Sequence, residues 1–457
     1  MPGQPPRSDR KDQPEFFDDE ARIVEQFQRH ERPEVVDAEI EEDPEPVEEA
    51  AAEEPATEEP APPDEAPPAE EPPAVAQAAP EQTETQRTDA KRYERIHHWL
   101  FAADIAGTVL ALALFLFLGG STHLRVFIEN RLSANPFAAA AFYGMIVTLL
   151  YYFVVLIPLH YADYFFEQRF ELSRQSFFSW FLDEFKSLGL NMVLVVAFLQ
   201  IAYLLLRATP HYWWLWAALA CTALGVVLTK LTPVLLIPIF YKREPLDDDE
   251  LAERLRHLVE RVRMSVVAVE KLGLGAKTVK ANAMLAGLGN TKRVLLGDTL
   301  IEHFTQDEIE TVLAHELGHH YHNHIWKLIG AGAVITFAAF LIANTVLHSL
   351  VGAFGFLNFR GVADVAAFPI LAFALFVVTL VAMPISNTLS RILERQADRF
   401  ALRLTRNPAA FISAMRRLAV QNLADTEPSP VVEFLFHGHP SISRRIAAAE
   451  AFQDEES

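Results

Sequence analysis

The sequence predicts a mainly α fold, a polytopic helical membrane protein of about six spans with a small α+β portion on the cytoplasmic side. Three observations carry this reading. The 457 residues have a mean hydropathy of +0.13 and 51% hydrophobic side chains, which makes lipid part of the solvent. Six long apolar stretches cover 99–119, 137–157, 188–206, 213–240, 325–350 and 368–385. Each is close to the ~20 residues that cross a hydrocarbon core as a helix. Between the fourth and fifth lies a polar segment of mixed periodicity that ends in a cluster of histidines.

Residues 1–90 read as an acidic tail. They hold 28 acidic and 7 basic residues, so the whole formal charge of −21 resides there and the remainder is neutral. A neutral remainder offers no basic surface for nucleic acid. From 38 to 90 the chain is Ala, Glu and Pro with scarcely a large apolar side chain, so disorder is expected. Phe16, Phe17, Ile23, Val24 and Phe27 form one sticky patch within this tail. No cleavable leader is expected, because the first apolar stretch begins only near residue 99.

Residues 91–240 then form a membrane domain of four spans, 241–324 a soluble portion, 325–389 two further spans, and 390–457 a C-terminal helical portion. Lys91, Arg92 and Arg95 precede the first span. By the positive-inside tendency they place both termini and the soluble portion in the cytoplasm. The single cysteine, Cys221, falls inside the fourth span. That excludes an intramolecular disulfide and any cysteine-built metal site.

Within the soluble portion, 247–263 has helical spacing, with Leu251, Leu255, Leu258 and Val262 on one face. Residues 266–269, 282–288 and 293–296 read as strands, the last two joined by a turn at Gly289 and Asn290. A small antiparallel sheet is expected. The run 287–292 has the wrong spacing for a phosphate-binding loop, which excludes a nucleotide. Thr305 with Glu308 is a capping box, and Phe304 with Ile309 is placed to form a hydrophobic staple. The helix that starts there is expected to continue unbroken into the fifth span.

On that helix lies His315-Glu316-Leu317-Gly318-His319. Two histidines four apart project from one helical face and can reach one metal ion, with Glu316 beside it. This is the geometry of a zincin-like hydrolase binding one zinc per chain. A catalytic zinc needs a third protein donor and keeps one position open. Span six returns the chain to the same membrane face near Ser390, just ahead of Glu394 and Asp398. The pair can divide the labour, Glu394 binding metal and Asp398 accepting the other ring N–H of a ligand histidine. His322 is a competing donor, while His320, His322 and His324 read mainly as interfacial helix residues. Zinc supplies a Lewis acid and an activated water, and Glu316 would carry the water's proton to the leaving nitrogen. His439 is the best available donor for the developing oxyanion.

These segments resemble the type I CAAX prenyl proteases, integral-membrane zinc endopeptidases, over most of residues 98–450. Phe166-Glu167-Gln168-Arg169-Phe170-Glu171-Leu172-Ser173-Arg174-Gln175 is similar to a loop between that family's first spans. Asn282-Ala283 with Gly287-Leu288-Gly289 resembles its substrate-pairing strand, followed by Asp298-Thr299-Leu300 and the zinc helix. Glu394-Arg395-Gln396-Ala397-Asp398 resembles its third-ligand helix, and His439-Pro440 with Arg445 its late histidine and arginine. The resemblance implies Glu394 as ligand, Asp398 and Arg445 behind the ligands, His439 as oxyanion donor, and Asn282 and Ala283 as substrate contacts. It also implies a substrate that is a membrane-associated, possibly prenylated, peptide cut near its carboxyl terminus. His320 stands where the family commonly has tryptophan, and six spans are counted where eukaryotic members have seven. A prokaryotic-like member in a bacterial inner membrane is expected. A heat-shock type membrane quality-control protease and a non-catalytic zinc-stabilised scaffold are the alternatives.

Overall fold

The computed structural model describes residues 80–456 apart from residue 265. The sticky patch at 16–27 lies outside them. Six helices among the described residues are long and apolar enough to cross a membrane, as expected. The first five helices are α1 (Glu84–Phe117), the short α2 (Gly120–Arg131), α3 (Pro136–Arg169), α4 (Phe177–Ala208) and α5 (Trp213–Phe240). Within α3, residues Tyr152–Leu156 widen into a π turn just ahead of Pro158; within α5, Thr232–Leu236 do so ahead of Pro238. Proline lacks an N–H and crowds the carbonyl four residues back, and the extra residue in the turn relieves both.

The start of α1 corrects the expectation of disorder up to residue 90. Thr83 and Gln86 close a capping box there, and Ala90 is fully buried. Gln82 Nε2 donates to the carbonyls of Ala419 at 2.8 Å and Ala424 at 3.0 Å. The stretch is ordered by a surface more than 300 residues away, a tertiary effect that local composition does not report.

The soluble portion contains β1 (Arg243–Pro245), α6 (Asp249–Arg261), β2 (Ala268–Leu272), β3 (Ala283–Ala286), β4 (Arg293–Gly297), α7 (Asp298–His303) and α8 (Gln306–Tyr321). The sheet order is β1-β2-β4-β3. It is mixed rather than antiparallel: β2 and β4 run parallel, while β1/β2 and β3/β4 are antiparallel. The hairpin strand β3 takes the outer edge and forces β4 beside β2. The three-residue β1, polar and ending in proline, gives no periodic signal.

Helix α8 begins at the expected capping box: Glu308 N donates to Thr305 Oγ1 at 3.3 Å, and Thr305 N to Glu308 Oε2 at 2.8 Å. Phe304 and Ile309 are buried in one core with Leu255, Leu258, Val294, Leu296, Leu313 and Leu317. The helix does not run on into the fifth span. It stops at Tyr321, Asn323 takes a left-handed conformation (φ 55°), and α9 (His324–Ala353) starts afresh. Asparagine tolerates that conformation better than other non-glycine residues.

In the bilayer region α9 packs against α5 and α4, with Trp213, Leu199, Tyr203, Phe340 and Leu347 in the core. Trp213 Nε1 donates to Asn344 Oδ1 at 2.7 Å. The chain returns through α10 (Phe368–Thr405) and ends in α11 (Pro408–Gln421), α12 (Pro430–Phe436) and α13 (Ile442–Glu456). Helix α10 extends far beyond its apolar part and lies along α8. Their backbones meet at Gly318, where an added Cβ would sit 3.1 Å from Ala397 Cα and 3.2 Å from Phe400 Cβ. A glycine permits this approach without displacing either helix, and the approach sets how near Glu394 comes to the two histidines.

Replacing Gly318 by Ala drives a methyl group into backbone. The expected cost is about 1–3 kcal/mol of stability, read as a lower thermal midpoint of the detergent-solubilised protein. An unchanged midpoint would show that the two helices can separate without penalty.

Candidate metal centre

His315 and His319 sit on successive turns of α8, and Glu394 faces them from α10. His315 Nε2 lies 3.1 Å from His319 Nε2 and 3.2 Å from Glu394 Oε2; His319 Nε2 lies 3.4 Å from Glu394 Oε1. A zinc with bonds of about 2.1 Å holds tetrahedral donors about 3.4 Å apart. All three separations are close to that spacing. His315 and Glu394 are buried, His319 partly so. Glu394 Oε2 is buried without a hydrogen-bond partner, although His439 Nδ1 lies only 2.9 Å and His315 Nε2 only 3.2 Å away. Neither ring is oriented to donate along those lines. A buried carboxylate oxygen left without a donor, facing ring nitrogens that converge on one point, is the donor set of a divalent cation.

The surrounding groups fix which ring nitrogen faces inward. His315 Nδ1 is 2.8 Å from Asp398 Oδ1, so Nδ1 carries the hydrogen and Nε2 presents its lone pair. Asp398 is buried and gripped in turn by Arg445, with Nε to Oδ2 at 2.9 Å and Nη2 to Oδ1 at 2.5 Å. With the carboxylates of Asp398 and Glu394 both against His315, the pocket favours positive charge at this place, which a divalent cation brings.

His319 has a partner that sequence reasoning missed. Its Nδ1 lies 3.1 Å from Nδ1 of the fully buried His324, whose Nε2 is 3.0 Å from Gln396 Oε1. The amide oxygen accepts, so His324 Nε2 donates and its Nδ1 accepts from His319. This leaves His319 Nε2 free for metal. His324 is thus not an interfacial residue. On an unbroken helix a position five past His319 would leave that face, and only the break at Asn323 turns it inward.

Glu316 Oε2 lies 3.4 Å from the Leu285 N–H of the edge strand β3, and His320 Nε2 is 2.9 Å from the Leu285 carbonyl. His439 is the most exposed group of the site, its side chain 66% accessible. Its loop is held by the buried Arg391, which donates to the carbonyls of Glu433 at 2.7 Å and His437 at 2.6 Å. Asn282 and Ala283 lie at the entry to β3, where Gly297 N donates to Asn282 O at 2.9 Å. The structure brings His315, His319 and Glu394 together, with Asp398, Arg445 and His439 against them, whereas His322 stacks on His324 and packs against Phe400.

Two histidines and a glutamate, on helices that meet at the edge of a membrane-spanning bundle, define a polytopic zinc metallopeptidase. Residues 245–453 match Peptidase family M48, and residues 68–242 match the CAAX prenyl protease N-terminal family of five membrane helices. The chain belongs to the M48 peptidases and is a multi-pass integral membrane protein. It is 26% identical to the uncharacterized metalloprotease YhfN of Bacillus subtilis, over 79% of this chain and 84% of that one. It is 28% identical to CAAX prenyl protease 1 of Saccharomyces cerevisiae, over 65% of this chain and 69% of the other. The crystal structure of S. mikatae Ste24p has the same fold, with a TM-score of 0.69 at 22% identity over 80% of this chain and 89% of that one.

Substituting Asp398 by Ala releases His315 from its orienting partner and should weaken zinc binding about 10–100-fold. Competition against a chelator of known affinity measures this. A change below about threefold would mean that packing alone orients the ring.

Proposed function

We propose that this protein cleaves peptide bonds near the carboxyl terminus of membrane-associated substrates, prenylated ones among them, at the cytoplasmic face of a bacterial inner membrane. The observation that carries the reading is the buried Glu394 carboxylate converging with His315 and His319 beside an open strand edge. His315, His319 and Glu394 would hold one catalytic zinc, which when bound supplies a Lewis acid for the scissile carbonyl.

The chain's own residues do the rest. Because Gly297 N bonds Asn282 O, residues 282 and 284 exchange hydrogen bonds with β4, and the peptide groups of Ala281, Ala283 and Leu285 point outward. Asn422 covers Ala281 on both its N–H and its carbonyl, while Glu316 and His320 cover Leu285. Ala283, between them, is where a substrate adds as an extra strand and is held extended across the site. Main-chain pairing selects shape over side chain, so broad sequence tolerance follows. Glu316 takes the proton of the attacking water and delivers it to the leaving nitrogen. His439 donates to the oxyanion from the solvent side. Asp398 and Arg445 keep His315 in its binding tautomer.

Glu316→Gln should leave zinc content intact and lower peptide cleavage by at least about 10²-fold, the lower end of what a proton-transfer group contributes. Unaltered cleavage would assign the base elsewhere, and unaltered biological activity would favour a scaffold. For substrate class, cleavage of a farnesylated peptide is compared with the same peptide unmodified and with a destabilised membrane protein. The expected order puts the lipid-modified peptide first. Preference for the misfolded protein would make this a quality-control protease.

A further inference from the structure

A second group of metal-binding side chains lies outside the catalytic cleft. Glu94 and His98, four apart on α1, share one helical face as His315 and His319 do on α8. His437, from the loop after α12, meets them: its Nε2 is 2.6 Å from Glu94 Oε1, while His98 Nε2 is 3.9 Å from the same oxygen. One donor atom from each of the three lies within 4.8 Å of the others.

We infer that Glu94, His98 and His437 bind a second divalent cation of the zinc class. Two imidazoles and one carboxylate are nitrogen and oxygen donors of the kind zinc takes, and water can complete the tetrahedral set. The separations of 2.6 and 3.9 Å bracket the roughly 3.4 Å of tetrahedral donors, and side-chain rotation reconciles them. His98, Glu94 and His437 are each about a fifth to a quarter exposed at the side chain, so an ion can enter and, once bound, is shielded.

The third group of this kind, His97 with Asp163 and Glu167, does not qualify. Lys280 Nζ already lies 2.9 Å from Glu167 and supplies the positive charge.

The position of the proposed ion gives it a task. His437 is two residues before His439, and Arg391 grips the His437 carbonyl from α10. Ligation of the His437 ring by α1 would fasten the loop from both sides. The ion would thereby tie the first membrane helix to the loop that presents His439 beside Glu394.

The test uses the full chain in detergent, stripped with a chelator, reloaded with zinc and freed of excess metal, with zinc per chain measured by mass spectrometry. Wild type should hold about two ions, Glu394→Ala about one, His98→Ala about one, and the double variant close to none. One ion in wild type, lost in Glu394→Ala and kept in His98→Ala, overturns the second site and leaves the catalytic one standing. A second ion that survives both His98→Ala and Glu94→Gln is adventitious and equally overturns it. Should His98→Ala fold poorly, Co2+ added to Glu394→Ala should give tetrahedral visible absorption bands that Glu94→Gln abolishes. Bands that are absent, or insensitive to Glu94→Gln, refute the proposal independently.

Discussion

A buried carboxylate without a hydrogen bond on one oxygen is the constraint around which the catalytic end is arranged. Glu394 is taken out of water beside two imidazoles whose inward nitrogens are lone pairs, not donors. Such a group is costly unless a cation compensates it, and every neighbouring interaction serves to keep that geometry. Asp398 and Arg445 lock His315, while His324 and Gln396 lock His319. The glycine between the histidines lets α8 and α10 come close enough for the carboxylate to reach. Metal affinity in this design comes from preorganisation, since the ligands have little freedom left to lose on binding.

The architecture divides its work between lipid and water. Between the membrane helices, close packing of α3, α4, α5, α9 and α10 is supplemented by the contact of Trp213 with Asn344, and the connections outside the spans are joined by the buried Arg125–Asp364 pair. Near the catalytic cleft the core is ordinary: α6, α8, α11 and one face of a four-stranded sheet bury leucines against each other. Glu308 shows how the two levels join. It caps the start of α8 and also receives Arg417 Nε at 2.8 Å, so one side chain starts the catalytic helix and anchors it to α11.

The spans, the capped helix and the three metal donors were legible because each leaves a local or periodic trace: about twenty apolar residues, a Thr-x-x-Glu start, histidines four apart. The opposing glutamate was legible only through topology, since the sixth span had to bring it back to the same membrane face. What the sequence concealed depends on tertiary contact. The helical character of residues 84–90 is conferred by a remote surface that holds Gln82 and Ala90. The parallel pairing of β2 with β4 arises from β3 taking the edge. The role of His324 hinged on a single left-handed asparagine, which no periodicity announces.

The break at Asn323 separates two mechanical elements that a continuous rod would have fused. A change in the angle of α9 at residue 323 is therefore not transmitted to the catalytic helix as it would be along a continuous rod. The first residue of that span nevertheless touches a metal ligand, ring to ring. The bilayer thus reaches the active centre along two paths of different stiffness, the unbroken α10 that carries Glu394 and a single ring contact from α9 whose hydrogen bond can stretch or turn.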